Sequence, residues 1–205
     1  MRIKICGLRT VADVNAAVEA GATAVGFVFA KSVRQLTVES ARPLVEAVPR
    51  GVEAIAVFER ADDLELLKAV LDLGVDAVQA QEEPPGLSRA GAFFLRSVPD
   101  GDDLGARLGE LNVGTIVSGS LRGCVLVDSA AGGGSGRVAD WERIEMEGAG
   151  HPIVLAGGLT PENVGEAIRT VRPIGVDVSS GVESQPGLKD AARIHAFVEA
   201  VKGSS

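Results

Sequence analysis

The sequence predicts an α/β fold, a closed (β/α)8 barrel that forms a single domain over residues 1–205. Short apolar runs rich in β-branched residues alternate with longer segments of helical period, which is typical of βα units around a parallel sheet. Eight such runs fit into the chain, and eight parallel strands close a barrel without an exposed sheet edge. A doubly wound open sheet is the structural alternative.

Glycine, proline or aspartate bounds the predicted strands. These strands cover residues 2–6, 24–29, 53–58, 77–79, 93–97, 123–128, 153–156 and 175–178. The predicted helices cover residues 11–20, 38–48, 62–73, 103–111, 140–146, 161–171 and 188–202, with a weaker one at 82–91. Thr10 with Asp13 resembles a capping box, and Thr160 before Pro161 predicts a helix that begins at Pro161.

Composition and charge exclude several functional classes. The chain has 20 Lys and Arg against 28 Asp and Glu, a net charge of −8, which argues against a nucleic-acid partner or an anionic membrane surface. The longest stretch without a charged residue, 148–161, is shorter than the ~20 residues of a membrane-spanning helix. The N-terminus lacks the apolar core of a signal peptide, so we expect a cytoplasmic protein.

The inventory of metal-binding and redox-active side chains is small. The only cysteines, Cys6 and Cys124, lie far apart in the sequence, and the only histidines are His151 and His195. These residues predict neither a disulfide scaffold nor a metal site.

Two strand ends carry side chains suited to proton transfer, and barrel enzymes place their active sites at the carboxyl ends of the strands. Cys6 ends the first predicted strand, where it is either a base or nucleophile or a small buried core residue. Asp128 ends the sixth, where it is either a loop cap or an acid tuned by partial burial.

Small residues follow the seventh and eighth strands, at 156–160 and 177–183. Barrel enzymes often bind a phosphate between these two loops because backbone N–H groups can surround the anion there. The alternative is a pair of tight glycine turns, but the presence of both loops favours phosphate binding. Arg34 is expected to add a mobile cation over the mouth of the site, the alternative being a solvated loop arginine.

Five motifs occur in order at these strand ends, and the resemblance that they carry extends over nearly all 205 residues. They comprise residues 4–7, 26–32 with Arg34, Asp128 with 132–136 and 140–141, 155–159 with 163–164, and 175–183 through 186–190. In this pattern the chain resembles the phosphoribosylanthranilate isomerase family of tryptophan biosynthesis, whose fold is the TIM barrel.

The resemblance implies an Amadori rearrangement of N-(5'-phosphoribosyl)anthranilate to 1-(2-carboxyphenylamino)-1-deoxyribulose 5-phosphate. By the same resemblance, Asp128 is the general acid that opens the sugar ring, and Cys6 is the base that takes the proton from C2. No metal or organic cofactor is implied, because the iminium of the substrate is the electron sink. The implied partner is this small phosphosugar, bound by a monomer or homodimer.

The resemblance also implies a set of binding residues. Gly157, Gly158, Ser180 and Gly181 would hold the phosphate, and Arg34 and Asp177 the anthranilate end.

The chain departs from the family pattern at three places. It has Val33 where proline is common, Gln81 where histidine is common and Arg96 where lysine is common. Other phosphate-binding barrels, namely a thiamine-phosphate-synthase-like transferase or a sugar-phosphate epimerase, and a non-catalytic metabolite-binding homologue are the competing interpretations. Product analysis separates the enzymes, and binding without turnover identifies the homologue.

Overall fold

The predicted barrel is confirmed. The computed structural model describes residues 1–87, 91–111, 120–129 and 136–204. Eight parallel strands form a closed barrel in chain order, and the first strand pairs with the eighth. The strands are β1 (Arg2–Cys6), β2 (Ala24–Val28), β3 (Glu53–Val57), β4 (Ala77–Ala80), β5 (Phe93–Pro99), β6 (Val125–Asp128), β7 (Ile153–Leu155) and β8 (Gly175–Val178).

Helices surround the barrel. They are α1 (Val11–Ala20), α2 (Val38–Glu46), α3 (Leu64–Leu71), α4 (Leu104–Gly109), α5 (Trp141–Glu147), α6 (Val164–Val171) and α7 (Ala191–Lys202). After β8 come a 3-10 turn (Ser180–Val182) and a small antiparallel hairpin of β9 (Glu183–Gln185) and β10 (Leu188–Lys189). None of the helices in the part of the chain that the structure describes is long and apolar enough to cross a membrane.

The core has two layers because side chains alternate across each strand. One buried cluster fills the space between the sheet and the helices. The other fills the barrel interior, and it consists mainly of Ala24, Ile55, Ala77, Phe93, Leu95, Leu121, Cys124, Leu126, Val154 and Ala156. Asp128 lies two residues beyond Leu126 on the same face of β6, so the polar strand ends lie above this apolar layer.

The predicted start is correct for α1 and wrong for α6. Thr10 and Asp13 form the predicted capping box of α1. The prediction at Thr160 is wrong, because residues 161–163 form a turn and α6 begins at Val164. Asn163 explains the delay: its side chain accepts a hydrogen bond from Thr160 N and donates one to Gly158 O, which ties it to the loop after β7.

Two further predicted helices differ from the observed structure. The predicted helix 188–202 begins only at Ala191, because Leu188 and Lys189 pair with β9. A weaker helix is predicted at 82–91, but the structure has bends and turns before Leu87, and residues 88–90 lie outside the described residues. Residues 132–135 of the glycine-rich loop also lie outside them.

Candidate active site

A cavity of about 300 Å³ opens at the carboxyl ends of the barrel strands. Seven of the eight predicted site residues line it, namely Cys6, Arg34, Asp128, Gly157, Gly158, Asp177 and Ser180. Gly181 is not among the lining residues. A Cβ there would collide with the backbone oxygen of Leu159, so Gly181 lets the loops after β7 and β8 touch.

Cys6 is the last residue of β1, and only 7% of it is exposed. Its neighbour on β2 is Gly26, where a Cβ would lie 2.8 Å from the Cys6 sulfur, so only glycine leaves room for the thiol. Burial raises the pKa of Cys6, while the charges of Lys4 and Lys189 lower it and that of Asp177 raises it. Two cations therefore counter part of the desolvation that disfavours the thiolate.

Asp128 is the last residue of β6. Its Oδ1 accepts a hydrogen bond of 2.8 Å from Ser129 N. Burial, followed by the negative charge of Asp177, raises the pKa of Asp128 from its ordinary value of 3.8 to about 6. A carboxyl group with this pKa still carries a proton in part of the molecules near neutral pH, as a general acid must.

Lys4 lies on β1 two residues before Cys6, on the same face, and its side chain is fully buried. Its Nζ donates a hydrogen bond of 3.0 Å to Oδ1 of Asp177, its register partner on β8. Burial alone would lower the pKa of Lys4, but the charges of Asp177 and Cys6 outweigh it, so the ammonium stays protonated. Asp177 thus lines the cavity and holds a buried cation that was not predicted as a site residue, while its contact with the anthranilate end stays a prediction.

Arg34 lines the cavity, but the prediction of a mobile cation is wrong. Its Nε and Nη2 donate hydrogen bonds of 2.7 and 2.8 Å to the two carboxylate oxygens of Glu183. Lys189 Nζ lies 2.8 Å from Glu183 Oε1 and also donates to the backbone oxygen of Ser179. Burial opposes ionisation of Glu183, but the hydrogen bonds from both cations lower its pKa to about 2. The positive charges of Arg34 and Lys189 and the negative charge of Glu183 add up to one net positive charge in this wall of the cavity.

Backbone geometry shapes the predicted phosphate loops. Gly157 and Gly158 have φ angles of +86° and +65°, which residues other than glycine rarely adopt. A Cβ on Gly157 would approach Ser129 N to 2.6 Å. Ser180 opens the 3-10 turn beside them. Both loops therefore bring bare backbone to the same side of the cavity.

Sequence reasoning missed several residues of the site as candidates. Gln79 on β4 and Ser97 on β5 line the cavity. Lys4, Glu183 and Lys189 form buried ion pairs next to it. The two-residue spacing of Lys4 and Cys6 is the signal for Lys4. Among the described residues, no group of three or more His, Cys, Asp or Glu side chains is arranged to hold a metal ion.

The chain is similar to known proteins over almost its whole length. The family model described as N-(5'phosphoribosyl)anthranilate (PRA) isomerase matches residues 3–200. The N-(5'-phosphoribosyl)anthranilate isomerase of Pseudomonas aeruginosa is 40% identical over 211 residues, which cover 98% of this chain and 95% of that protein. The crystal structure of phosphoribosyl anthranilate isomerase from Thermotoga maritima is 36% identical, with a TM-score of 0.83 over 99% of both chains.

A further solved structure holds a ligand. It is phosphoribosyl anthranilate isomerase in complex with reduced 1-(o-carboxyphenylamino)-1-deoxyribulose 5-phosphate, 34% identical to this chain, with a TM-score of 0.80 over 99% of both chains. The extent of these matches shows that the chain belongs to the N-(5'-phosphoribosyl)anthranilate isomerase family.

Proposed function

We propose that this protein isomerises N-(5'-phosphoribosyl)anthranilate to 1-(2-carboxyphenylamino)-1-deoxyribulose 5-phosphate in tryptophan biosynthesis, as an intramolecular oxidoreductase of the aldose–ketose class. The observation that carries the proposal is one cavity lined by a thiol, a carboxyl group of raised pKa and two loops of small residues. A phosphosugar that needs one acid and one base fits this combination.

Asp128 starts the reaction. Its carboxyl group gives its proton to the ring oxygen of the ribose, the bond from C1 to that oxygen breaks, and the lone pair of the arylamine nitrogen forms an iminium. The raised pKa of Asp128 keeps part of the enzyme protonated near neutral pH, which supports this role.

Cys6 completes the rearrangement. Its thiolate takes the proton from C2, and the electron pair of that bond moves to the iminium and gives an enolamine. The enolamine gains a proton at C1 and loses the proton of its C2 hydroxyl, which yields the ketone and restores both groups. The positive iminium adds to the charges of Lys4 and Lys189 in favouring the thiolate.

One wall of the cavity carries charges that suit an anionic substrate. Although the chain carries a net charge of −8, the pairing of Arg34 and Lys189 with Glu183 leaves a local positive charge in the wall. The loops after β7 and β8 supply backbone for the phosphate on the adjacent side. We propose that Gly157, Gly158 and Ser180 contact the phosphate, that Gly181 holds their loops together, and that Arg34 reaches the carboxylate of the anthranilate.

The decisive experiment follows the loss of substrate fluorescence after purified protein is added to freshly generated phosphoribosylanthranilate. We expect turnover to the ribulose phosphate by the wild type and by the control Cys124→Ala, whose thiol lies in the barrel interior. Cys6→Ala and Asp128→Asn should retain phosphate binding and lose turnover by at least about 10²-fold. Tight binding without turnover by the wild type would instead identify a non-catalytic homologue.

The assembly and location of the protein remain predictions. The resemblance implies a monomer or homodimer, and the sequence predicts a cytoplasmic location. Sedimentation at several protein concentrations measures the assembly state. A mass that rises with concentration beyond that of two chains would contradict it.

A further inference from the structure

Gln79 is a buried polar residue of the cavity wall. It lies on β4 between Val57 of β3 and Leu95 of β5 in the strand register. Only 7% of the residue is exposed, yet it lines the cavity. In the part of the chain that the structure describes, its Oε1 is buried and has no hydrogen-bond partner. Buried amide groups nearly always have partners, so this one indicates a missing ligand contact.

The position of β4 indicates which end of a ligand Gln79 meets. The proposed phosphate loops follow β7 and β8, and β4 lies halfway around the closed barrel from β8. In phosphoribosylanthranilate the phosphate on C5 and the arylamine on C1 are at opposite ends of the sugar. Val28, Val57 and Phe58 line the cavity near Gln79 and offer apolar surface to an aromatic ring.

The chemistry of the amide matches that end of the substrate. A glutamine side chain carries two N–H donors and an acceptor oxygen. The 2-carboxyanilino group offers a carboxylate that accepts and an amine N–H that donates. From this match and from the unpartnered amide oxygen, we propose that Gln79, in addition to Arg34, hydrogen-bonds the 2-carboxyanilino end of the substrate and selects for it. This inference rests on the proposed function, and nothing in the reaction steps assigned to Cys6 and Asp128 requires it.

The test measures binding of three ligands to the full-length protein. They are reduced 1-(o-carboxyphenylamino)-1-deoxyribulose 5-phosphate, the same reduced compound made from aniline, and inorganic phosphate. Gln79→Met keeps the length of the side chain but removes its donors and acceptor. The matched control is Gln185→Met, at an exposed glutamine of β9.

We expect Gln79→Met to bind the reduced product analogue about tenfold or more weakly than the wild type, with phosphate affinity unchanged. A smaller loss for the aniline compound assigns the contact to the carboxylate, and an equal loss assigns it to the amine N–H. If the contact is to the carboxylate, Gln79→Glu should weaken binding of the first ligand further, because it places a negative charge beside that carboxylate.

Two results overturn the inference. In one, Gln79→Met binds the reduced analogue as tightly as the wild type. In the other, it loses phosphate affinity in the same proportion, which would reveal a general structural role. Failure of the proposed function is distinguishable, because the wild type itself would then not turn over the substrate, whether or not it binds the reduced analogue.

Discussion

Lys4 Nζ and Asp177 Oδ1 lie 3.0 Å apart, and the lysine side chain has no exposed surface. The two residues are register partners on β1 and β8, the pair of strands that closes the barrel. A fully buried ammonium is costly unless it is paired, and here the partner carboxylate supplies most of that compensation. The ion pair thus places a permanent positive charge two residues from the thiol of Cys6.

Replacement of Lys4 by Met should raise the pKa of Cys6, because the ammonium that favours the thiolate is removed. The pH dependence of alkylation by iodoacetamide, measured in a Cys124→Ala background, reports that pKa. The curve should move to higher pH by a clear margin, whereas Lys68→Met, at an exposed lysine of α3, should leave it in place. An unchanged curve in Lys4→Met would contradict the electrostatic role.

The same ion pair predicts non-additive stability. Lys4→Met alone leaves the carboxylate of Asp177 buried without its partner, which typically costs about 3–5 kcal/mol of unfolding free energy. Lys4→Met combined with Asp177→Asn removes both charges and should recover much of that loss. Urea denaturation of the two single variants and the double variant measures the coupling. If the double variant loses the sum of the two single losses, the pair contributes no coupling and the prediction fails.

Much of the fold was predictable because alternation of apolar runs and helical segments is local. The bounds of β1 and β8 agree with the predicted ones. The ion pair of Lys4 with Asp177 was not predictable, because its partners are 173 residues apart and meet only when the barrel closes. Their pairing depends on the strand order and register, which no local pattern contains.

The hairpin after β8 shows the same limit. Leu188 and Lys189 fit a helical pattern continuous with α7, so the sequence predicts a helix from 188. In the fold, Leu188 and Lys189 pair with β9, and the ammonium of Lys189 donates hydrogen bonds to Glu183 and to the backbone oxygen of Ser179. Tertiary hydrogen bonds of buried charges therefore decide the conformation, and they also turn Arg34 from a loop cation into a fixed one.

Glu183→Gln should destabilise the protein at neutral pH and loosen Arg34. The pKa of Glu183 falls from 4.5 to about 2 on folding, and since tenfold in proton affinity equals about 1.4 kcal/mol, the ionised carboxylate contributes about 3 kcal/mol. That contribution is complete above about pH 4.5 and is lost as the pH falls through about 2. Unfolding by urea at pH 7 and pH 2 should show a large deficit that shrinks in acid. A deficit independent of pH contradicts this account.

Asp128→Asn should make the protein more stable at alkaline pH. Its folded pKa of about 6 lies above the ordinary 3.8, so the native state disfavours the ionised form. The resulting penalty is absent below about pH 3.8 and complete above about pH 6, where it reaches about 3 kcal/mol. Urea denaturation at pH 8 should give Asp128→Asn the higher unfolding free energy, with the difference vanishing near pH 3. Equal stability at pH 8 would show that burial does not disfavour this carboxylate.

Gly181→Ala should disrupt the proposed phosphate seat without touching the acid and base. The added methyl group collides with the backbone oxygen of Leu159, so the loops after β7 and β8 must separate. Separation moves the backbone N–H groups that are proposed to hold the phosphate, while Cys6 and Asp128 lie on β1 and β6. We expect KM to rise by about tenfold or more and inhibition by inorganic phosphate to weaken in parallel. Gly109→Ala is the matched control, because a Cβ there meets no atom within 4 Å. If phosphate inhibition stays at its wild-type strength in Gly181→Ala, the anion binds elsewhere in the cavity.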